Sequence, residues 1–139
     1  MLRIITLLDQ KNHYLEKFYS VNETEILNFT KGVFDNLEDF YQTREKILEM
    51  IKYLDGELEQ VQKCQDIVSS DEDRRHVMAS LAIKDEYVNR ILAQDLEILS
   101  CIESAKSSII RELQDIRKNK KAVGSYKSKT FNRRLDEEA

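Results

Sequence analysis

Apolar residues recur every seven positions along the middle of this chain. A second series, from Thr30 to Leu58, also repeats every seven residues. Its members lie four residues after one member of the first series and three residues before the next. An average spacing of about 3.5 residues keeps one side of a helix facing a partner helix. The pattern therefore predicts a long helix that begins at the break near residues 21–25, ends at the polar run 69–73, and packs lengthwise against other helices. The members of the seven-residue series are Ile26, Val33, Phe40, Ile47, Leu54 and Val61.

Another helix with the same repeat is predicted after the polar run at 69–73. Ser70 is a good N-cap, and the acidic residues behind it favour the first turn of a helix. Its heptad positions extend from Val77 to Ile116. Five further apolar residues widen this side beyond a two-helix contact, so we expect the N-terminal helix to cover them. They are Leu92, Leu96, Leu99, Ile110 and Leu113.

The N-terminal segment predicts a shorter helix over residues 2–20. Asn22 is a good N-cap, and Glu25 stands three residues later, as in a capping box. Val21 and Ile26 are spaced for a hydrophobic staple. We therefore expect a break at 21–25.

These elements define an all-α fold. The chain has 139 residues, no proline and only three glycines, so little in it interrupts a helix. The simplest arrangement is an elongated helical bundle, in which a long antiparallel helix hairpin carries a shorter N-terminal helix. Residues 1–118 form the predicted bundle domain. Residues 119–139 form a basic, flexible C-terminal tail, because Gly, Ser and Lys replace the helix-forming residues there.

The composition argues against catalysis. Neither Cys64 and Cys101 nor His13 and His76 stand at metal-ligand spacing, so no catalytic, metal or cofactor site is predicted. A net charge of −4 disfavours nucleic acid as the main partner. The N-terminal apolar run is too short for a signal peptide or a membrane span. We expect a cytoplasmic protein that binds other proteins.

Two groups of aromatic and apolar residues are candidate partner-binding sites. The first lies beside the heptad positions of the second helix, where the alternative is that the first helix packs over it. The second lies in the tail, where the alternative is a solvated end. The six residues are Phe29, Phe34, Tyr41, Tyr126, Phe131 and Leu135.

Three stretches carry a resemblance to a known family. Residues 41–55 are similar to a basic-x-x-leucine-x-x-isoleucine-x-x-leucine-aspartate run, and 91–99 to an isoleucine-x-x-x-aspartate-x-x-isoleucine run. Residues 121–126, followed by Phe131 and Leu135-Asp136, resemble a lysine/alanine and tyrosine ending with an aromatic-x-aspartate closure. Together they resemble the small flagellar type III export chaperones of the FlgN and FliT kind.

This resemblance implies a chaperone that protects hook-associated proteins of the hook–filament junction before export. It would bind their amphipathic terminal helices, as a monomer or homodimer, with the export apparatus as a further partner. It implies neither nucleic-acid binding nor membrane insertion. A coiled-coil scaffold or oligomerisation module remains open as an alternative. A third hypothesis is a binder of nucleic acid or anionic surfaces through eight basic residues: Arg117, Lys118, Lys120, Lys121, Lys127, Lys129, Arg133 and Arg134.

Overall fold

A computed structural model describes the backbone of residues 3–64 and 70–138, and side chains over 3–63 and 70–121. Within these ranges the ordered elements are three α-helices and no strand. They are α1 (Arg3–Thr30), α2 (Leu37–Cys64) and α3 (Asp71–Glu138). The prediction of an all-α fold is confirmed.

The turn between α1 and α2 lies at residues 31–36, so the predicted break at 21–25 is wrong. Gly32 has a φ of +75°, a left-handed conformation that glycine adopts without a steric penalty. Its N–H donates to the Phe29 carbonyl at 3.0 Å, and the Val33 N–H donates to the Asn28 carbonyl at 2.9 Å. This is the Schellman arrangement, which satisfies the last carbonyls of a helix. Helix α1 therefore ends at its glycine signal.

Asn22 lies inside α1 and does not cap a helix. Its side chain is fully buried, and Nδ2 donates a hydrogen bond to Gln94 Oε1 at 3.0 Å. Gln94 Nε2 in turn donates to the Tyr19 carbonyl at 3.0 Å and to Glu23 Oε1 at 2.8 Å. A buried polar side chain needs such partners, and Gln94 of α3 supplies one for Nδ2, whereas no described residue donates to Asn22 Oδ1. The residues that suggested a cap are instead part of a polar contact between α1 and α3.

The predicted cap of α3 is confirmed. Ser70 Oγ accepts a hydrogen bond from the Asp73 N–H at 3.1 Å, and the Ser70 carbonyl accepts one from the Arg74 N–H at 3.0 Å. The backbone of α3 continues to Glu138, past Asn119, where the sequence predicts that helix formation fades. The flexibility predicted for residues 119–139 stays a prediction.

The backbone divides into two units, Met1–Cys101 and Ile102–Ala139. The first contains α1, α2 and the first part of α3. The predicted domain boundary after residue 118 falls inside the second unit.

Helix α1 supplies most of the core of the first unit. Its early residues pack on the end of α2, and its Leu15 and Phe18 pack with Ile47 of α2 and Ile91 of α3. Helix α1 therefore runs antiparallel to α2 and parallel to α3. At 28 residues it equals α2 in length, so it is not the shorter helix that the sequence predicts. The buried apolar core consists of Ile4, Ile5, Leu7, Leu8, Leu15, Phe18, Ile26, Phe29, Phe40, Ile47, Leu54, Leu58, Ile91 and Ile98.

The heptad pattern locates the core side of α2 but only part of that of α3. Phe40, Ile47 and Leu54 are buried as predicted, whereas Val33 is exposed in the turn. On α3, Ile91 and Ile98 are buried, but the polar residues Ser80 and Gln94 accompany them. Helix α1 packs on this partly polar side. The expectation that α1 covers the extra leucines of α3 is therefore wrong.

Candidate partner-binding surface

An ion pair between Arg44 and Asp95 joins α2 to α3. Arg44 Nη2 donates to Asp95 Oδ1 at 3.0 Å, and the Arg44 side chain is only 17% exposed. Its guanidinium lies over the rings of Phe18 and Phe40, with centroid distances of 4.8 and 5.1 Å. Both residues of the pair occupy heptad positions, where an apolar residue is expected. The pair shows that Arg44 of α2 and Asp95 of α3 lie level with each other.

Three leucines of α3 form an exposed stripe beside this ion pair. Leu92, Leu96 and Leu99 are 57%, 70% and 58% exposed. Residues four and seven positions apart lie on one side of a helix, so the three side chains are neighbours. Contiguous exposed apolar surface of this kind is typical of a binding site.

Two residues of α2 extend the stripe into a patch. Tyr41 and Leu48 are exposed, and they stand three residues before and four residues after Arg44. Leu92 and Leu99 stand in the same relation to Asp95. Because α2 and α3 are antiparallel, Tyr41 lies level with Leu99, and Leu48 lies level with Leu92. We call these residues the α2–α3 patch: Tyr41, Leu48, Leu92, Leu96 and Leu99.

The first three predicted site residues have different environments. Phe29 is buried and stacks on the half-buried Phe34 at a centroid distance of 4.8 Å. Phe29 also meets Phe40 edge-on at 6.4 Å. These three rings pack where α1 turns into α2. Tyr41, whose ring lies 5.5 Å from that of Phe40, is exposed and belongs to the α2–α3 patch.

The other three predicted site residues, Tyr126, Phe131 and Leu135, lie on the helical backbone of α3. Their side chains are outside those that the structure describes. Whether any of the six binds a partner stays a prediction.

The sequence predicts that α1 covers Leu92, Leu96 and Leu99, so these leucines were not expected at the surface. The sequence of α1 contains a pattern that indicates a different packing. Its core positions follow three- and four-residue steps that include Lys11, Asn22 and Glu25, so α1 needs polar partners. Gln94 partners Asn22 from a different side of α3 than Leu92, Leu96 and Leu99, whereas Lys11 pairs with Asp55 of α2.

A groove follows the outer side of the α1–α2 pair. Three adjoining hollows make it up: Ser20, Val21 and Thr43 line both the first and the second, and His13 lines both the second and the third. It extends from Asn28 to Thr6 along α1, about 33 Å at 1.5 Å per residue. We call it the α1–α2 groove.

Over residues 3–63 and 70–121, no three His, Cys, Asp or Glu side chains group so that they could hold a metal ion. His76 Nε2 lies 3.1 Å from Asp9 Oδ2, and Ser80 Oγ donates to Asp9 Oδ1 at 2.9 Å. In this cluster both side chains contact the carboxylate, so the histidine does not activate the serine. The cluster ties α3 to α1.

None of the helices, over the part of the chain that the structure describes, has a segment long and apolar enough to cross a membrane.

No family model, curated protein or solved structure matches this chain.

Proposed function

We propose that this chain is a cytoplasmic flagellar type III export chaperone that binds the amphipathic terminal helices of hook-associated proteins before export. The observation that supports the proposal is the α2–α3 patch. An amphipathic helix binds such a surface by laying its apolar side along it. All five patch residues lie within 41–55 and 91–99, two of the stretches that resemble the chaperones.

The physical gain comes from removing the patch from water. Fully burying one leucine side chain is worth about 1.5–3 kcal/mol. The four leucines and the tyrosine of the patch are 48–70% exposed, so covering each of them gains roughly half of that value. Together they offset part of the cost of association, which is about 4–15 kcal/mol. A terminal helix held in this way cannot pair with another subunit, so premature assembly is prevented.

Co-purification with terminal fragments of hook-associated proteins tests the proposal. The full chain is mixed with each fragment at ~10 µM, a concentration at which a working chaperone is expected to be occupied. Binding of at least one fragment supports the function. Failure of every fragment to bind contradicts it.

A coiled-coil scaffold or oligomerisation module is the second candidate, and a feature of the second unit favours it. This part of α3 exposes four apolar residues within two turns: Ile109, Ile110, Leu113 and Ile116. Two copies of the chain could bury these residues against each other. The mass in solution separates the candidates, because a scaffold is a stable dimer without a client. The chaperone, as monomer or homodimer, gains mass when a fragment is added.

A binder of nucleic acid or anionic surfaces is the third candidate. Arg117, Lys118, Lys120 and Lys121 are all exposed on α3. Such binding would weaken steeply with salt, because it releases counterions. The net charge of −4 makes this candidate the weakest of the three.

A further inference from the structure

A buried carboxylate at one end of the α1–α2 groove has an oxygen atom without a hydrogen-bond partner. Glu25 is only 5% exposed and lines the end of the groove nearest the turn. Its Oε1 atom is buried, and no described residue donates a hydrogen bond to it. Burying a carboxylate oxygen without a donor is costly. The fold retains an acceptor here that a bound group could use.

The surroundings of Glu25 are acidic and polar. Asp39 of α2 lines the same end of the groove, in the first turn of its helix, where the helix dipole favours a charged carboxylate. Val21 and Phe40 provide apolar walls. The remaining lining residues offer hydroxyl and amide groups: Ser20, Thr24, Asn28, Asn36 and Thr43.

Neither Glu25 nor Asp39 forms an ion pair with a described basic residue. Within the described part of the chain, no lysine or arginine lines this end of the groove. The last turn of α1, which favours cations, also carries no basic residue. Lys17 and Lys46 line the adjoining hollow instead.

We propose that this end of the groove binds a lysine or arginine side chain of a partner protein. The ammonium or guanidinium group pairs with Glu25 and Asp39, and the methylene groups pack on Val21 and Phe40. The hollow measures about 510 Å³, which suits a long side chain better than a single metal ion. This site is separate from the α2–α3 patch, so it stands whether or not the patch binds a helix.

The test is an NMR titration of the ¹⁵N-labelled full chain with small probes. The probes are N-acetyl-arginine amide, N-acetyl-lysine amide, the neutral isostere N-acetyl-citrulline amide, and MgCl₂ or CaCl₂ alone. We expect saturable shifts for the arginine or lysine probe, confined to backbone amides of residues 20–28 and 36–43. The proposal is overturned by no saturable shift, by equal shifts with citrulline, or by tighter binding of either metal ion.

Variants of the carboxylates make the test specific. Glu25→Gln removes the charge while keeping the shape, so we expect it to weaken probe binding by about tenfold or more. It should also raise the Tm of the free protein, because a neutral amide is cheaper to bury. Unchanged probe binding, or a lowered Tm, overturns the proposal.

Two further variants serve as a second test and as a control. Asp39→Asn changes an exposed residue, so it decides the question if Glu25→Gln fails to fold, and we expect it to weaken probe binding as well. Glu38→Gln is the matched control: Glu38 is exposed beside Asp39 but does not line the groove. Its probe binding should equal that of the unmodified chain. Equal weakening by Glu38→Gln contradicts a specific site.

Discussion

Arg44 of α2 donates a 3.0 Å hydrogen bond to Asp95 of α3, from a position enclosed by the rings of Phe18 and Phe40. The two residues are therefore not equivalent. Asp95 contributes a partly exposed charge. Arg44 contributes its charge, the stacking of its guanidinium on two rings, and the packing of its methylene groups. This one contact ties together the three helices of the first unit and sets Tyr41 and Leu48 beside Leu99 and Leu92.

Replacing Arg44 should cost more than replacing Asp95. We expect Arg44→Ala to lower the free energy of unfolding by about 2–3 kcal/mol, because packing on two rings is lost with the charge. Asp95→Ala should cost about 1 kcal/mol, since its exposure screens the pair. Urea denaturation of both variants and of the double variant measures the coupling. The matched control is Arg90→Ala, whose ion pair with Glu86 is exposed. Equal losses for Arg44→Ala and Arg90→Ala contradict this account.

The Asn22–Gln94 contact should respond differently to single and double replacement. Asn22→Leu leaves the buried Gln94 side chain without one of its partners, so we expect a loss of about 1–3 kcal/mol. Replacing both with leucine removes the unsatisfied group and should recover most of that loss. The measurement is the free energy of unfolding in urea. A double variant less stable than the single variant would show that the polar contact is itself strongly stabilising.

Gly32 and Gly56 should respond to replacement by alanine with opposite signs. Gly32→Ala places a Cβ on a left-handed residue and should cost about 1–2 kcal/mol. Gly56 lies inside α2, and no neighbouring side chain comes within 4 Å of the methyl group that alanine would add. Gly56→Ala should therefore stabilise the protein by about 0.5–1 kcal/mol. Thermal unfolding of the two variants measures the sign of each change in stability. Stabilisation by Gly32→Ala would contradict the Schellman ending of α1.

Replacing the N-cap residue of α3 should have a smaller effect on the free energy of unfolding. Ser70→Ala removes the acceptor for the Asp73 N–H and should cost about 1 kcal/mol. Ser70→Asp keeps an acceptor and should retain the stability, which makes it the matched control. If both variants lose the same stability in urea, the side chain does not cap the helix.

The sequence was sufficient for the helical class and for most of the core side of α2. Phe40, Ile47 and Leu54 face the core because a heptad pattern reports which side of a helix is apolar. It was insufficient for the α1–α2 turn. An Asn followed by Glu suits a cap and also suits a buried polar position, and only the contact of Asn22 with Gln94 separates the two.

The candidate surface was harder to predict than the fold. A wide apolar side on α3 predicts that neighbours exist, but not which residues they cover. Helix α1 packs on the side of α3 that carries Ser80 and Gln94, and Asp9, Asn12 and Asn22 of α1 form their hydrogen bonds there. Leu92, Leu96 and Leu99 are exposed as a result. Tyr41 was predicted as a site residue from its place beside the heptad positions, and it is exposed in the patch.

The most direct test of the proposed function is a calorimetric titration of the full chain with a terminal fragment of a hook-associated protein. Leu92→Glu combined with Leu99→Glu places charge in the α2–α3 patch, and Leu27→Glu changes an equally exposed leucine of α1 outside it. We expect a Kd at or below ~10 µM for the unmodified chain and for Leu27→Glu. The patch variant should bind at least tenfold more weakly, about 1.4 kcal/mol or more. Equal affinity of all three proteins, or no binding by the unmodified chain, would contradict the account.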